Sequence, residues 1–212
     1  MKYTAIGLCM HSGWGVLVAV SGDANSMELV DRRRIVTTDS KIPGFSQPYH
    51  YAANLGLSEA ESYLANCAAV SERLALASIE EVVRRLNADR LRILGSAILL
   101  AAGRPLPSLA KILASHPLIH TAEGEFFRNA VRQASERLKI PVTAIKEREL
   151  DAEAKTAFGN AASRVQRRTS TLGKSVGPPW TKDHKTAALA AAIILARAGR
   201  LTSPGGNDEA SN

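Results

Sequence analysis

Five histidines, two cysteines and a few acidic residues near helix starts carry most of the chemistry in this sequence. His11 follows an apolar run that ends in Cys9-Met10, and His120 lies just before Glu123 and Glu125. Asp183-His184 opens a long alanine-rich run. Imidazole and carboxylate together make a divalent-metal site, and a nitrogen in the set favours Mn²⁺ or Zn²⁺ over Mg²⁺. His11, His120, Glu123 and Asp183 are therefore the candidate catalytic residues, expected to approach one edge of a sheet, with Asp183 and Glu123 as candidate metal ligands. His116 and His120 are four apart, but Pro117 between them argues against one continuous helix, so no HxxxH pair is expected. A second chemistry is nucleophilic. Cys9 and His11 share a strand face if the strand continues through them, yet a reactive thiol needs an open, electropositive setting. A buried structural cysteine is the competing reading, as a dipole-stabilising first-turn residue is for Asp183.

Cations form the other concentration. Residues 152–200 hold nine Lys/Arg against Glu153 and Asp183, and nine minus two equals the +7 of the whole chain. Arg164, Arg167, Arg168, Lys174, Lys182 and Lys185, with Trp180 for stacking, are the candidate nucleic-acid-binding residues. Charge, main-chain N–H groups and an aromatic face together suit a phosphate backbone. The competing reading is a solvated basic loop. Gly173-Lys174-Ser175 lacks the preceding glycine of a P-loop, so no nucleotide-triphosphate site is expected. Arg32-Arg33-Arg34 reads as the charged stretch of an exposed edge strand, with phosphate contact as the alternative.

Elements must position these groups. Apolar runs at 5–10 and 16–20 flank His11-Ser12-Gly13 as a hairpin, Gly13 supplying a positive φ. A turn at 21–26 leads to a third, edge strand at 27–37. The loop 38–56, with Phe45, Tyr49, His50 and Tyr51, is read as folded over a site where it stacks a base or ring. Apolar spacing from Leu64 to Leu86 marks an amphipathic helix with Ser58 and Glu61 as a capping box. A doubly buried strand at 91–102 stops at 103–107. A short helix at 108–115 follows, then a helix capped by Thr121 and starting near Ala122. A strand at 141–146, a helix near 150–158 and a basic loop lead to a last helix that Thr181 caps and Gly199 ends. At 212 residues, one α/β domain over 1–200 with a disordered tail at 201–212 is expected. Cys9 and Cys67, without CxxC spacing, read as buried free thiols of a reducing compartment. The start MKYTAIGL lacks a signal-peptide pattern and the run 187–196 is too short to span a bilayer, so no membrane partner is expected and the localisation is read as cytoplasmic.

This order of three strands, helix, strand, helix, strand, helix is similar to the ribonuclease H-like fold. The local sequences resemble the RuvC-type Holliday junction resolvases. AIGL-CMH-SGWGVLV fits the frame of that family's first hairpin, and QRRTSTLGKSVGPPW-TKDHKTAALAAA its basic stretch, proline loop and last helix. The resemblance spans about residues 3–198. It implies a mixed five-stranded sheet, a three-strand antiparallel meander plus two parallel strands, with helices on both faces. It also implies two-metal phosphodiester cleavage with Mg²⁺ or Mn²⁺, the ions about 4 Å apart. The carboxylates would be one Asp on the first strand, one Glu on the fourth and two acids opening the last helix. Here those positions hold Cys9, the carboxylate-free LRILGSAILLAA, and Asp183 followed by Lys185 or Thr186. DNA is the implied partner, and a homodimer the implied assembly.

The reading is a nucleic-acid-binding protein of ribonuclease H-like fold with a degenerate or altered two-metal site. Two alternatives stay open: an active, divergent metal-dependent nuclease using His11, Glu123 and Asp183, and a non-catalytic scaffold that binds a partner.

Overall fold

The structure is a computed structural model, and it describes residues 2–22, 25–101 and 105–202. The turn expected at 21–26 and the stop at 103–107 lie partly outside the described residues. The tail lies outside them beyond residue 202, and so does the side chain of Arg200.

Five strands form one sheet in the order β3-β2-β1-β4-β5. The strands are β1 (Lys2–Met10), β2 (Trp14–Ser21), β3 (Glu28–Val36), β4 (Leu91–Leu100) and β5 (Val142–Lys146). β1 pairs antiparallel with β2, and β2 antiparallel with β3. β4 runs parallel to β1, and β5 parallel to β4. This is the expected meander plus two parallel strands. At the hairpin, Gly13 adopts φ +80°, a conformation that suits glycine. The His11 N–H closes the turn on the Trp14 carbonyl at 2.7 Å.

The two-residue period of β1 divides the core. Ala5 and Cys9 face one layer with Val16, Val18 and Val20 of β2. That layer is covered by α5 (Leu150–Phe158), α6 (Ala162–Thr171) and α7 (Lys182–Thr202). Ile6, Leu8 and Met10 face the other layer with α2 (Leu57–Ala88) and α4 (His116–Arg137). Fully buried aliphatics such as Ile98, Ile79 and Ile193 each contribute about 1.5–3 kcal/mol through removal from water. The alanines of α7 let it lie close on β1. A Cβ at Gly7 would stand only 1.9 Å from the Ala187 carbonyl oxygen, so glycine is required there.

Several boundaries differ from expectation, each for a local reason. α4 starts at His116 rather than near Ala122, because Pro117 sits in the first turn, where no intrahelical N–H partner is needed. Thr121 is inside α4 and its hydroxyl donates to the Pro117 carbonyl at 3.0 Å. α2 begins after Gly56 without a side-chain cap, so the Ser58/Glu61 box does not form. The loop 38–56 contains a short helix, α1 (Pro48–Ala52), and a second short helix, α3 (Leu109–Leu113), precedes α4. The basic stretch is α6 followed by a 3₁₀ turn at Leu172–Ser175, not a loop. α7 continues through Gly199 to Thr202, because Gly199 is not among the positive-φ glycines that would end it.

Candidate functional site

The hairpin tip of β1–β2 meets the start of α7. His11 Nε2 lies 3.0 Å from Asp183 Oδ2. Ligand atoms of Cys9, His11 and Asp183 all fall within 4.8 Å of one another. The His11 ring stacks on Trp14 at 4.4 Å, and the Arg34 guanidinium carbon lies 3.9 Å above Trp14. Burial pushes the Cys9 thiol up to about 12; the charges of Asp183 and Glu147 add to this, and Lys182 opposes it. A thiol held that far up is a poor nucleophile at neutral pH, since that role needs the thiolate. At the α7 start, His184 is buried and its Nδ1 accepts the Thr181 N–H at 3.2 Å, a back-bond from the third helical position that secures the cap. Burial, and then the charge of Arg32, hold His184 below the usual histidine range, with Asp183 opposing.

Beside this edge is a cavity of about 360 Å³ lined by Trp14, Arg32, Arg33, Arg34, Asp183 and His184. Its arginines are partly engaged. Arg32 donates to the carbonyls of Gly177 (2.9 Å) and Pro179 (2.6 Å), pinning the loop before α7 to β3. Arg33 pairs with the buried Asp31 at 3.0 Å and with Glu81.

Of the seven candidate nucleic-acid-binding residues, three are engaged within the protein. Arg168 donates to the Met27 carbonyl at 3.1 Å. Lys182 pairs with Glu147 at 2.8 Å, which raises the lysine's pKa. The Trp180 ring packs over Gly173 and beside His184, and its N–H donates to the Thr169 carbonyl at 3.1 Å. Arg164, Arg167, Lys174 and Lys185 are exposed and pair with no carboxylate among the described residues. Lys174 and Lys185 line a groove with Trp180.

The other expected residues lie in a different place. Glu123 is 2% exposed, and its Oε1 sits 2.8 Å from His50 Nδ1 and 3.2 Å from the His50 backbone nitrogen. His50, His116 and His120 bring ring nitrogens within 4.8 Å of one another. His11 therefore meets Asp183, and His120 and Glu123 meet around His50, but the four do not form one centre. The reason is that α7 and α4 cover opposite faces of the sheet. The sequence pattern conceals His50 and His116 as partners of this group. Pro117 reads as a break in the helix that His116 opens, and α1, which carries His50, is too short to show periodicity. Glu125 pairs with Arg128 and Arg132 instead of a histidine. The rings of the 38–56 segment are used in packing: Phe45 is buried, Tyr49 meets Phe126 edge-on and Tyr51 lies against Tyr63.

The donors at the β1/α7 edge do not match a pair of Mg²⁺ ions. β4 supplies no carboxylate, the β1 position is a cysteine sulfur, and Asp183 is the lone acid of the Cys9–His11–Asp183 set. Mg²⁺ prefers oxygen ligands in octahedral geometry.

No protein-family model matches the chain, and no curated protein matches it in sequence. Solved structures do. RuvC of Thermus thermophilus in complex with a Holliday junction substrate matches with a TM-score of 0.51 at 17% identity, over 94% of this chain and 96% of that one. A second Thermus thermophilus RuvC structure gives a TM-score of 0.51 at 14% identity, over 92% and 96% of the two chains. The fold is RuvC-like, of the ribonuclease H-like type, with the sheet and element order that the sequence implied.

Proposed function

We propose that this protein binds nucleic acid, DNA foremost, across the α6–α7 layer, on a ribonuclease H-like scaffold whose two-metal carboxylate set is degenerate. The observation that carries this reading is the group of cations without acidic partners among the described residues, Arg164, Arg167, Lys174 and Lys185, on α6, the 3₁₀ turn and the first turn of α7. Arg33, Arg85, Lys182 and Arg197 are each paired with an acid; Arg164, Arg167, Lys174 and Lys185 instead follow one another on consecutive segments and are available to an external anion. A polyanion with regularly spaced phosphates fits such a group, and each phosphate neutralised contributes a slope of about −0.9 in log K against log salt for duplex DNA. The groove lined by Lys174, Trp180 and Lys185 offers an apolar surface beside two charges. That a solved structure of the same fold holds a Holliday junction supports branched DNA as the first substrate to try.

Cleavage is a separate matter. His11 and Asp183 offer one imidazole and one carboxylate, a set suited to a single Mn²⁺ rather than two Mg²⁺. The protein is thus expected to bind without Mg²⁺-dependent hydrolysis. An electrophoretic series with four-way junction, duplex and single-stranded DNA, at rising NaCl and with Mg²⁺ or Mn²⁺ present, tests both parts. Salt-sensitive binding with intact strands is the expected result. Absence of binding to all three at low salt overturns the reading. Metal-dependent cleavage abolished by Asp183→Asn would make the protein a divergent nuclease instead.

A further inference from the structure

The histidine cluster on the opposite face carries an inference independent of nucleic-acid binding. His116, His120 and Glu123 stand at i, i+4 and i+7 of α4, so all three lie on one face of its first turns. His50 descends on that face from α1. Its ring lies 5.3 Å from His116 and 4.8 Å from His120, and those two are 4.5 Å apart, all three pairs edge-to-face. We propose that His50, His116 and His120 bind one transition-metal ion of the zinc class, with Glu123 orienting His50 and the fourth coordination position open to solvent.

Glu123 is the observation that a mere packing of rings does not explain. The side chain is 2% exposed, and its Oε1 is held against both Nδ1 (2.8 Å) and the backbone nitrogen (3.2 Å) of His50. With Nδ1–H donating to Glu123, His50 keeps Nε2 as its free ligand atom. This is the carboxylate–histidine–metal arrangement in which an outer acid fixes the tautomer and raises the basicity of the ligand. Three nitrogens around a tetrahedral zinc stand about 3.3 Å apart, given bonds of about 2.0–2.1 Å. The present set, within 4.8 Å, closes to that spacing by rotation of the exposed His116 and His120 rings. Imidazole ligands select zinc, cobalt or nickel over Mg²⁺ and Ca²⁺. The open position takes a water. The ion also clasps the five-residue α1 to α4, which otherwise meet through Tyr49 against Ile119, Ala122 and Phe126.

The test uses the full chain without an affinity tag, dialysed against Zn²⁺ and then against metal-free buffer, with bound metal measured by mass spectrometry. One equivalent is expected in the parent and in the Cys9→Ser/His11→Gln variant, and none in His116→Gln/His120→Gln. Co²⁺ in place of Zn²⁺ should give the intense visible bands of tetrahedral coordination. Glu123→Gln should weaken Zn²⁺ binding by about 10–100-fold in a competition titration. A parent protein that retains no metal overturns the proposal. So does an equivalent that survives loss of His116 and His120, or that disappears with Cys9 and His11. None of these readouts involves DNA, so failure here leaves the nucleic-acid reading untouched.

Discussion

The β1/α7 edge and the α1/α4 histidine cluster each gather three potential metal ligands, and they differ in what stands behind the ligands. At the β1/α7 edge the fold is firm and the donors are poor. α7 is locked onto β1 by an approach too close for any residue but glycine at position 7, yet the donors it delivers are a protonated thiol, one imidazole stacked on Trp14 and one carboxylate. At the α1/α4 cluster one support, α1, is only five residues long and two of the three rings are exposed, yet the donors are three imidazoles backed by a buried acid. Precise placement by the scaffold and suitable ligand chemistry are thus separable properties of a site. Here they occur on opposite faces of one sheet.

Cys9 is the sharpest way to break this contrast. With its pKa moved from 9.0 to about 12, its thiolate fraction at neutral pH should be about a thousandfold below that of a free thiol. Timed iodoacetamide labelling read by peptide mass spectrometry should therefore leave Cys9 unmodified in the native protein while glutathione reacts. Rapid labelling would mean that the edge is open and the cysteine available as a nucleophile or ligand.

Two glycine substitutions compare how the two sides are held. Gly7→Ala drives a Cβ into the backbone oxygen of Ala187 and should cost about 3 kcal/mol in urea unfolding. Gly124→Ala in α4 meets only the flexible end of Arg128 at 2.9 Å, and gains helix propensity, so its net change should lie within about 1 kcal/mol of zero. Equal effects would remove the claim that α7 is the more tightly fixed element.

Much of the first region is legible from sequence because its signals are local and periodic. The continuous apolar β1 and β2 runs, the glycine turn and the alanine-rich α7 each announce themselves within about ten residues, and together they point to the sheet order. The second region is not legible, because its ligands come from two helices whose starts break ordinary rules. Pro117 looks like a break and is a first-turn residue, and α1 lies hidden in a turn-rich segment. α6 is equally hard to see: only Ala162, Val165 and Thr169 are buried, a stripe too narrow to stand out among polar residues. Glu123 stands out by its position near a helix start, but its histidine partner is 73 residues away.

The smallest predicted effect concerns the α7 start. His184 is held neutral by burial and by Arg32, below its ordinary value of 6.5. The unfolded chain therefore binds the proton more readily. The stability that this group contributes is fully present above about pH 6.5 and is lost as pH falls toward the lowered folded value. Urea midpoints for the parent should drop between about pH 7.5 and 5.5 more than those of His184→Gln. Parallel pH profiles would show that the ring is not held neutral in the fold.

The most direct test of the central reading is the salt dependence of junction binding in the parent and in a variant with Arg164, Arg167, Lys174 and Lys185 all changed to Gln. If these cations sit on phosphates, the variant should bind more weakly at low salt. Its slope of log K against log salt should be shallower by about 0.9 for each phosphate that is no longer neutralised. Equal affinity and equal slope in the two proteins would contradict the account, since the four charges would then have no part in holding nucleic acid.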